Sequence, residues 1–344
     1  MFKASYKKHV LQFKRPVRTS RNELETHTVY FIALQRTTDG KVTYGEAAPL
    51  VGLSIDDVPH FEQQVQRYCQ DINEGMAPAD LDFTGYPSIQ FAVETALLCM
   101  QHQQDFTLYQ TSFLAGEPIK INGLVWMDTK ENMLQEALQK AAEGFTTIKF
   151  KVGALDFDEE CRMLESFRKQ FNAYKVDIRL DANGAFKNDD VLMQLQELAR
   201  FDVHSIEQPI KPKQWDLMEE VCVESPIPIA LDEELIGLSA HDEGTKMLRK
   251  VKPAYLIIKP TLIGGLTAGD HWITCAEKLE IHWWATSALE SNVGLNAIAQ
   301  WVTTKNNLLP QGLGTGSLYL NNVTSPLKTA NGKLYHQVHN LWEL

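Results

Sequence analysis

Ile148-Lys149-Phe150-Lys151 is a short apolar run ending in an ionisable side chain, and four later segments repeat the design. They read Ile178-Arg179-Leu180-Asp181, Ser205-Ile206-Glu207, Ile229-Ala230-Leu231-Asp232 and Ile257-Ile258-Lys259. Counting from 151 to 181, 207, 232 and 259, the terminal residues stand 30, 26, 25 and 27 positions apart. That is the length of one strand, one crossover helix and two loops. Parallel β/α units place all their strand C-termini at one end of the sheet, so these groups are expected to converge there. Three carboxylates flanked by lysines at one barrel mouth make a metal site with bases beside it.

Working outward from this stretch, strand signals recur at 121–126, 147–151, 176–181, 205–207, 227–232, 255–259, 281–285 and 311–314. The segments between them are amphipathic at helical spacing: Leu164, Phe167 and Phe171 share a stripe, as do Val191, Leu195 and Leu198. Eight strands with helical crossovers predict an α/β fold, a TIM-type (β/α)7β barrel spanning 111–317. Residues 1–110 have a different texture. Alternation at 3–13 and 28–35, an Asp39-Gly40 turn and Val42-Thr43-Tyr44-Gly45-Glu46 predict an antiparallel meander. Ser54 with Asp57 three residues on predicts a capping box that opens a helix running to about 73; a second helix is expected over 88–103. Strands followed by helices make this an α+β capping domain. The final segment, 318–344, lacks barrel rhythm and is expected to pack back on the capping domain and complete it.

The chain has 344 residues, which suits a barrel with a smaller second domain. A net charge of -11 argues against nucleic acid or an anionic membrane as partner. No basic segment followed by an apolar one opens the chain, and no apolar run approaches the length of a membrane span, so a cytoplasmic address is expected. Cys69, Cys99, Cys161, Cys222 and Cys275 are scattered without a CxxC pair and read as reduced core thiols. The ten histidines show no HxH or HExxH spacing.

Asp181, Glu207 and Asp232 each follow an apolar run, a costly place for a lone charge. Acids at strand ends also cap helices or pair with lysines, but three at successive strand ends favour a hard divalent cation, Mg²⁺ or Mn²⁺. Lys149 and Lys151 are two apart on one strand and share a face, leaving Ile148, Phe150 and Val152 for the opposite one. Lys259 arrives behind Leu256-Ile257-Ile258 in the same way. Burial, a neighbouring ammonium and a cation each disfavour a charged lysine, so lowered lysine pKa values are expected. Lys151, at the strand tip, is the better general base; Lys149, one layer deeper, would position and tune it. A cation on a substrate carboxylate stabilises the charge formed when an α-proton leaves, which makes proton abstraction beside a carboxylate the expected chemistry.

The ordered set Lys149-Phe150-Lys151, Leu180-Asp181-Ala182-Asn183, Ile206-Glu207-Gln208-Pro209, Leu231-Asp232-Glu233 and Ile258-Lys259-Pro260 resembles the enolase superfamily, muconate-lactonizing-enzyme subgroup, over nearly the whole chain. Gly45-Glu46-Ala47-Ala48-Pro49-Leu50 is similar to the loop signature of that superfamily's capping domain. The resemblance implies that Asp181, Glu207 and Asp232 bind Mg²⁺ and that Lys151 and Lys259 face each other across the substrate, with Lys149, Asn183 and Glu233 in support. Within the superfamily, Thr286-Ser287-Ala288-Leu289-Glu290-Ser291-Asn292-Val293-Gly294 and Gln311-Gly312-Leu313-Gly314-Thr315-Gly316 resemble the o-succinylbenzoate synthases of menaquinone biosynthesis. Those enzymes dehydrate 2-succinyl-6-hydroxy-2,4-cyclohexadiene-1-carboxylate through an enediolate. The resemblance implies substrate contacts from Ser287, Glu290 and Gly314, with capping loops at 19–23 and 48–53 closing over the succinyl arm. A simple tight turn or a loop brace is the competing meaning for these residues.

The alternative within the superfamily is a dipeptide or N-acylamino acid epimerase, which also needs two lysines on opposite faces. Dipeptide epimerases tend to carry Asp-x-Asp near the eighth strand; here Gly314-Thr315-Gly316-Ser317 holds no acid. A non-catalytic barrel is disfavoured by the complete set of five groups. Metal-assisted hydrolysis ordinarily wants histidines or a second metal.

Overall fold

The computed structural model describes residues 1–18 and 23–344. Strands β1 (Phe2–Arg18), β2 (Glu23–Arg36) and β3 (Val42–Ala47) form an antiparallel sheet in that order. The β1–β2 register runs unbroken from Phe2↔Arg36 to Gln12↔Thr26 and resumes, shifted, at Val17↔Leu24. Pro16 lies in the gap, where a residue without an N–H cannot hold a ladder. Gly40, at φ +77°, turns the chain from β2 into β3, and its N–H donates to the Arg36 carbonyl at 2.9 Å. Helices α1 (Phe61–Asn73) and α2 (Pro87–Cys99) cover one face of the sheet, burying Val65, Ile72, Ile89 and Ala96 against Ile32 and Leu34.

Two helix boundaries differ from expectation. The helix expected from Ser54 begins only at Phe61, because Ser54 and Asp57 are spent on the preceding turn. Ser54 Oγ accepts from Leu50 N–H at 2.8 Å, and the Asp57 carboxylate accepts from Gly52 N–H at 2.8 Å. Pro59 also biases Val58 away from helical angles. The second helix ends at Cys99 rather than 103, in a run of turns through Gln101 and His102.

Among the described residues, seven strands form one curled parallel sheet. They are β5 (Gly123–Val125), β6 (Thr147–Lys151), β7 (Asp177–Asp181), β8 (Val203–Glu207), β9 (Ile229–Leu231), β10 (Tyr255–Ile258) and β11 (His282–Ala285), adjacent in sequence order. The segment expected as an eighth strand is reduced to two isolated parallel bridges, Gln311 to Ile121 and Gly312 to Thr286, which tie both edges of the sheet together. A short strand β4 (Ile119–Lys120) precedes β5 and pairs instead with β13 (Lys333–His336), itself paired with β12 (Leu327–Ala330).

Helices α3 (Lys130–Ala142), α4 (Phe157–Gln170), α5 (Val191–Ala199), α6 (Trp215–Glu224), α7 (Thr245–Val251), α8 (Pro260–Ile263), α9 (Leu266–Glu277) and α10 (Asn292–Thr303) follow the parallel strands. Helix α4 shows why such segments are helical. Asp156 caps it by accepting from Asp158 N–H at 3.1 Å, three acids fill its first turn, and Arg168 and Lys169 sit in its last, all matched to the helix dipole. Its stripe of Met163, Leu164 and Phe167 is buried, with Phe150 of β6 meeting Phe167 edge-on at 5.4 Å. Phe150 faces outward to the helices, so Lys149 and Lys151 face inward, as the alternation predicts. The C-terminal residues touch both parts of the chain: Tyr319 lies against Phe13 at 4.7 Å between ring centroids, while β12 and β13 join β4.

The cysteines are free, with Cys69, Cys99 and Cys275 buried. Among the described residues no helix is long and apolar enough to cross a membrane.

Candidate active site

Register does the first part of the assembly. Lys151 pairs with Asp181 across β6–β7, and Asp181 with Glu207 across β7–β8, so three strand tips present their side chains at one level. Asp232 follows β9 directly and Lys259 follows β10. Asn183 and Gln208, each two or one residues past a carboxylate, take left-handed φ of 47° and 40° and swing the chain away from the sheet. Such angles are costly for residues other than glycine and cluster at functional sites.

The five ionisable tips and Lys149 interlock. Lys149 Nζ donates to Asp181 Oδ2 at 3.0 Å and to both oxygens of Glu207 at 3.1 and 2.8 Å. Lys151 Nζ donates to Asp181 Oδ2 at 2.7 Å and to Asn183 Oδ1 at 2.6 Å. Lys259 Nζ donates to Asp232 Oδ2. Asn183 Nδ2 in turn donates to Glu233 Oε1 at 2.9 Å, so Asn183 and Glu233 form a brace behind Lys151. All six charged groups are buried.

At Lys149 and Lys259 the side chains alone set a direction. Burial does work against their charge, but Asp181 and Glu207 around Lys149, and Asp232 beside Lys259, outweigh it and hold both above the ordinary lysine value. The lowering expected from the sequence included a divalent cation beside the lysines, whereas these directions belong to the protein side chains alone. Burial also opposes the charge on Asp181, yet Lys149, Lys151 and Lys259 overcome it and hold that carboxyl well below its usual range. At Glu207 and Asp232 burial prevails, and both carboxyls are raised. Positive charge is therefore in short supply at two of the three acids. Their hard oxygen donors are the residues here with the chemistry to hold a small divalent cation. As the side chains stand, the ammonium groups sit on the carboxylate oxygens, and among the described residues no three Asp, Glu, His or Cys side chains converge at metal-ligand range.

A cavity of about 530 Å³ opens above the cluster. Lys149, Lys151, Lys259 and Asn183 line it, as do Ser287 and Gly314, whereas Asp181, Glu207, Asp232 and Glu233 lie behind the lysines. Glu290 is fully buried behind the wall: its carboxylate accepts from Ser287 Oγ at 2.6 Å and Ala288 N–H at 2.8 Å, and from Thr261 Oγ1. Leu24, Leu50, Leu53, Trp126, Leu289 and Leu318 give the cavity apolar surface, and Glu136, Lys140 and Glu143 also line it. Of the two loops expected to close the mouth, the one at 48–53 supplies Leu50, Val51 and Leu53; at 19–23 only Glu23 lies within the described residues.

Gln208, Glu234 and Glu46 have roles here that their motifs do not announce. Gln208 Oε1 accepts from Asp232 N–H and Glu234 N–H, both at 3.3 Å, lacing the end of β8 to the segment that carries Asp232. Glu234 accepts from Trp215 Nε1 at 2.6 Å and Lys213 N–H at 2.7 Å. The available signal was position: each immediately follows, or lies within, a motif already singled out.

The family description "Enolase C-terminal domain-like" matches residues 132–337. The chain is 38% identical to the o-succinylbenzoate synthase of Desulfotalea psychrophila, covering 96% of this chain and 98% of that protein. The crystal structure of MenC from Desulfotalea psychrophila superposes with a TM-score of 0.86 at 35% identity, covering 97% of this chain and 99% of that one. A dipeptide epimerase from Cytophaga hutchinsonii, solved in complex with Mg and the dipeptide D-Ala-L-Val, shares the fold at a TM-score of 0.82 and 19% identity, over 96% of this chain and 92% of that one. The chain belongs to the enolase superfamily, in the muconate-lactonizing-enzyme-like subgroup that includes the o-succinylbenzoate synthases.

Proposed function

We propose that the protein is an o-succinylbenzoate synthase, a carbon–oxygen lyase that removes water from 2-succinyl-6-hydroxy-2,4-cyclohexadiene-1-carboxylate by syn elimination in menaquinone biosynthesis. The observation that carries it is the pairing of the carboxylate–lysine cluster with a cavity that several apolar side chains line and that has no acid at 314–317. A ring and an aliphatic arm suit that lining. A substrate ammonium, which an epimerase acting on dipeptides must hold, finds no carboxylate at 314–317.

In this reading the curled sheet, tied by Gln311 and Gly312, is a (β/α)7β barrel over 111–317. Residues 1–110 are its α+β cap, completed by 318–344, and the setting is cytoplasmic. Asp181, Glu207 and Asp232 would hold Mg²⁺, or Mn²⁺ in its place, which when bound supplies positive charge against the second negative charge developing on the substrate carboxylate. Lys151, held by Asp181 and braced through Asn183 and Glu233, removes the ring proton beside that carboxylate. The resulting enediolate expels the hydroxyl, and the proton on Lys151 leaves with it as water. Lys259 stays protonated and stabilises the intermediate electrostatically. Ser287 and Gly314 contact the succinyl arm, and Glu290 sets Ser287. Lys149 keeps Asp181 and Glu207 in place.

The deciding experiment assays the dehydration beside a deuterium-exchange screen of dipeptides and N-succinylamino acids, before and after exhaustive chelation. Dehydration that disappears on chelation and returns with Mg²⁺ is expected. Exchange of amino acid α-protons without dehydration supports the epimerase, which the presence of both Lys151 and Lys259 on the cavity would also serve. Full activity after chelation removes the metal from the mechanism.

A further inference from the structure

The wall of the cavity is held from the cap by one side chain that the mechanism above does not use. Glu46, near the end of β3, is fully buried and reaches across to the start of α10. Its Oε1 accepts from Ser291 N–H at 2.7 Å, and its Oε2 from Ser291 Oγ at 2.6 Å and Gly294 N–H at 2.8 Å. Ser291 is the N-cap of α10, and its own Oγ also accepts from Val293 N–H at 3.1 Å. Asn322, from the C-terminal segment, accepts from Asn292 N–H at 2.9 Å. The free N–H groups of the helix start are thus met by side chains from the cap and the C-terminal segment as well as by its own cap.

Geometry leaves room for this contact and little else. A Cβ on Gly294 would stand 2.7 Å from Glu290 Cβ and 3.1 Å from Glu46 Oε2. A Cβ on Gly45 would stand 1.8 Å from the Ala92 carbonyl, so β3 lies hard against α2 where Glu46 leaves it. Two residues before Ser291, Leu289 holds a left-handed φ of 68°, a costly angle for leucine that persists only where its surroundings impose it. Ser287, Ala288 and Leu289 line the cavity, and Tyr319 Oη donates to the Leu289 carbonyl. Burial pushes the Glu46 carboxyl up to about 7, against the pull of the Ser291 and Gly294 donors and with a further push from Glu290. Placing an acid there is costly, which a contact with no consequence would not repay.

We propose that Glu46 is a positioning residue: from the cap it holds the strained turn at 287–291 in the shape that presents Ser287, Ala288 and Leu289 to the substrate, so that cap docking and pocket shape are one event. The inference rests on the reading that this cavity takes the substrate. A docking clamp of purely structural kind also exists for comparison. Glu94 of α2 accepts from Leu266 N–H at 2.6 Å and Thr267 N–H at 2.9 Å, fastening the cap to the start of α9, away from the cavity.

The test compares Glu46→Gln with Glu94→Gln in the full-length protein, by steady-state kinetics and by amide hydrogen exchange. Glutamine keeps the size of Glu46 but turns an N–H₂ toward donors. Glu46→Gln is expected to raise KM about tenfold with kcat within about threefold, the pattern of lost ground-state binding, and to speed exchange at 288–294 about tenfold. Glu94→Gln is expected to leave KM and those amides unchanged. Ser291→Ala supplies a second route to the same contact if Glu46→Gln fails to fold, with a smaller rise in KM. Unchanged KM and exchange in the Glu46 variant, or an equal KM rise in both glutamine variants, overturns the proposal. A wild-type protein without synthase turnover overturns the functional reading instead, and the exchange comparison still decides whether Glu46 holds the turn.

Discussion

At the scale of single residues, Lys149 and Lys151 differ in what each holds in place. Lys149 is tied by three hydrogen bonds to two buried carboxylates, whereas Lys151 shares one carboxylate and an amide and lines the cavity beside Asn183. Removing one partner of a buried ion pair leaves an uncompensated charge and costs about 3–5 kcal/mol. Lys149→Ala is therefore expected to lose stability of that order in urea unfolding, with Mg²⁺ recovering part of it. Lys151→Ala should keep a native far-UV spectrum and lose a factor of about 10³ or more in kcat, within or beyond the range of a removed general base. A Lys151 variant at near-native rate would dismiss it as the base. The inward direction of both lysines was legible, because alternation along a strand needs no tertiary knowledge. Their partners were not. Asn183 and Gln208 reach their positions through left-handed backbone, which asparagine tolerates but nothing in a glutamine announces, and the pKa direction depends on which carboxylates the neighbouring strands bring closest.

At the scale of elements, strands read better than helix ends. The bounds 147–151 coincide with β6, since a short apolar run between turns has one way to pair in a parallel sheet. The 54–57 capping box failed because the same side-chain oxygens satisfy a turn as readily as a helix start, and only packing decides between them. The eighth strand is two bridges, and at one of them Gly312 lies so near Thr286 that a Cβ there would stand 2.5 Å from its hydroxyl. At Gly45, β3 lies hard against α2. Gly45→Ala would drive a methyl into the Ala92 carbonyl, a backbone atom that cannot step aside as a side chain can. A loss of roughly 1–3 kcal/mol or more in equilibrium unfolding is expected, from overpacking at a rigid contact. Wild-type stability in this variant would mean that β3 can lift from α2, and with it Glu46 from α10.

At the scale of the whole molecule, several acids are buried away from the catalytic cluster, and together they tilt stability with pH. Burial pushes Glu46 and Glu160 up to about 7 and Asp56 up to about 6. A carboxyl raised in the folded state binds its proton there while the unfolded chain has released it, so its contribution is fully present below the ordinary carboxylate pKa and is lost as pH rises through the folded value. His27 and His204 work in the opposite sense: burial lowers both to about 4, so their contribution is lost as pH falls from about 6.5 toward 4. The overall profile mixes these slopes, and a single-site difference isolates one of them. Glu160 is the cleanest choice, because its carboxylate serves the loop after β6, accepting from Gly153, Ala154 and Leu155 N–H at 2.7, 3.2 and 3.2 Å. Glutamine keeps an oxygen for those donors and cannot ionise. The stability of Glu160→Gln relative to wild type is expected to rise by roughly 2–3 kcal/mol between pH 4.5 and pH 8, from a carboxyl pushed up to about 7 and a cost of about 1.36 kcal/mol for each pH unit it resists ionising. Urea unfolding of both proteins at four or five pH values checks it. A difference that stays flat means the three N–H donors already balance the burial of the charge, and a difference that falls means they exceed it.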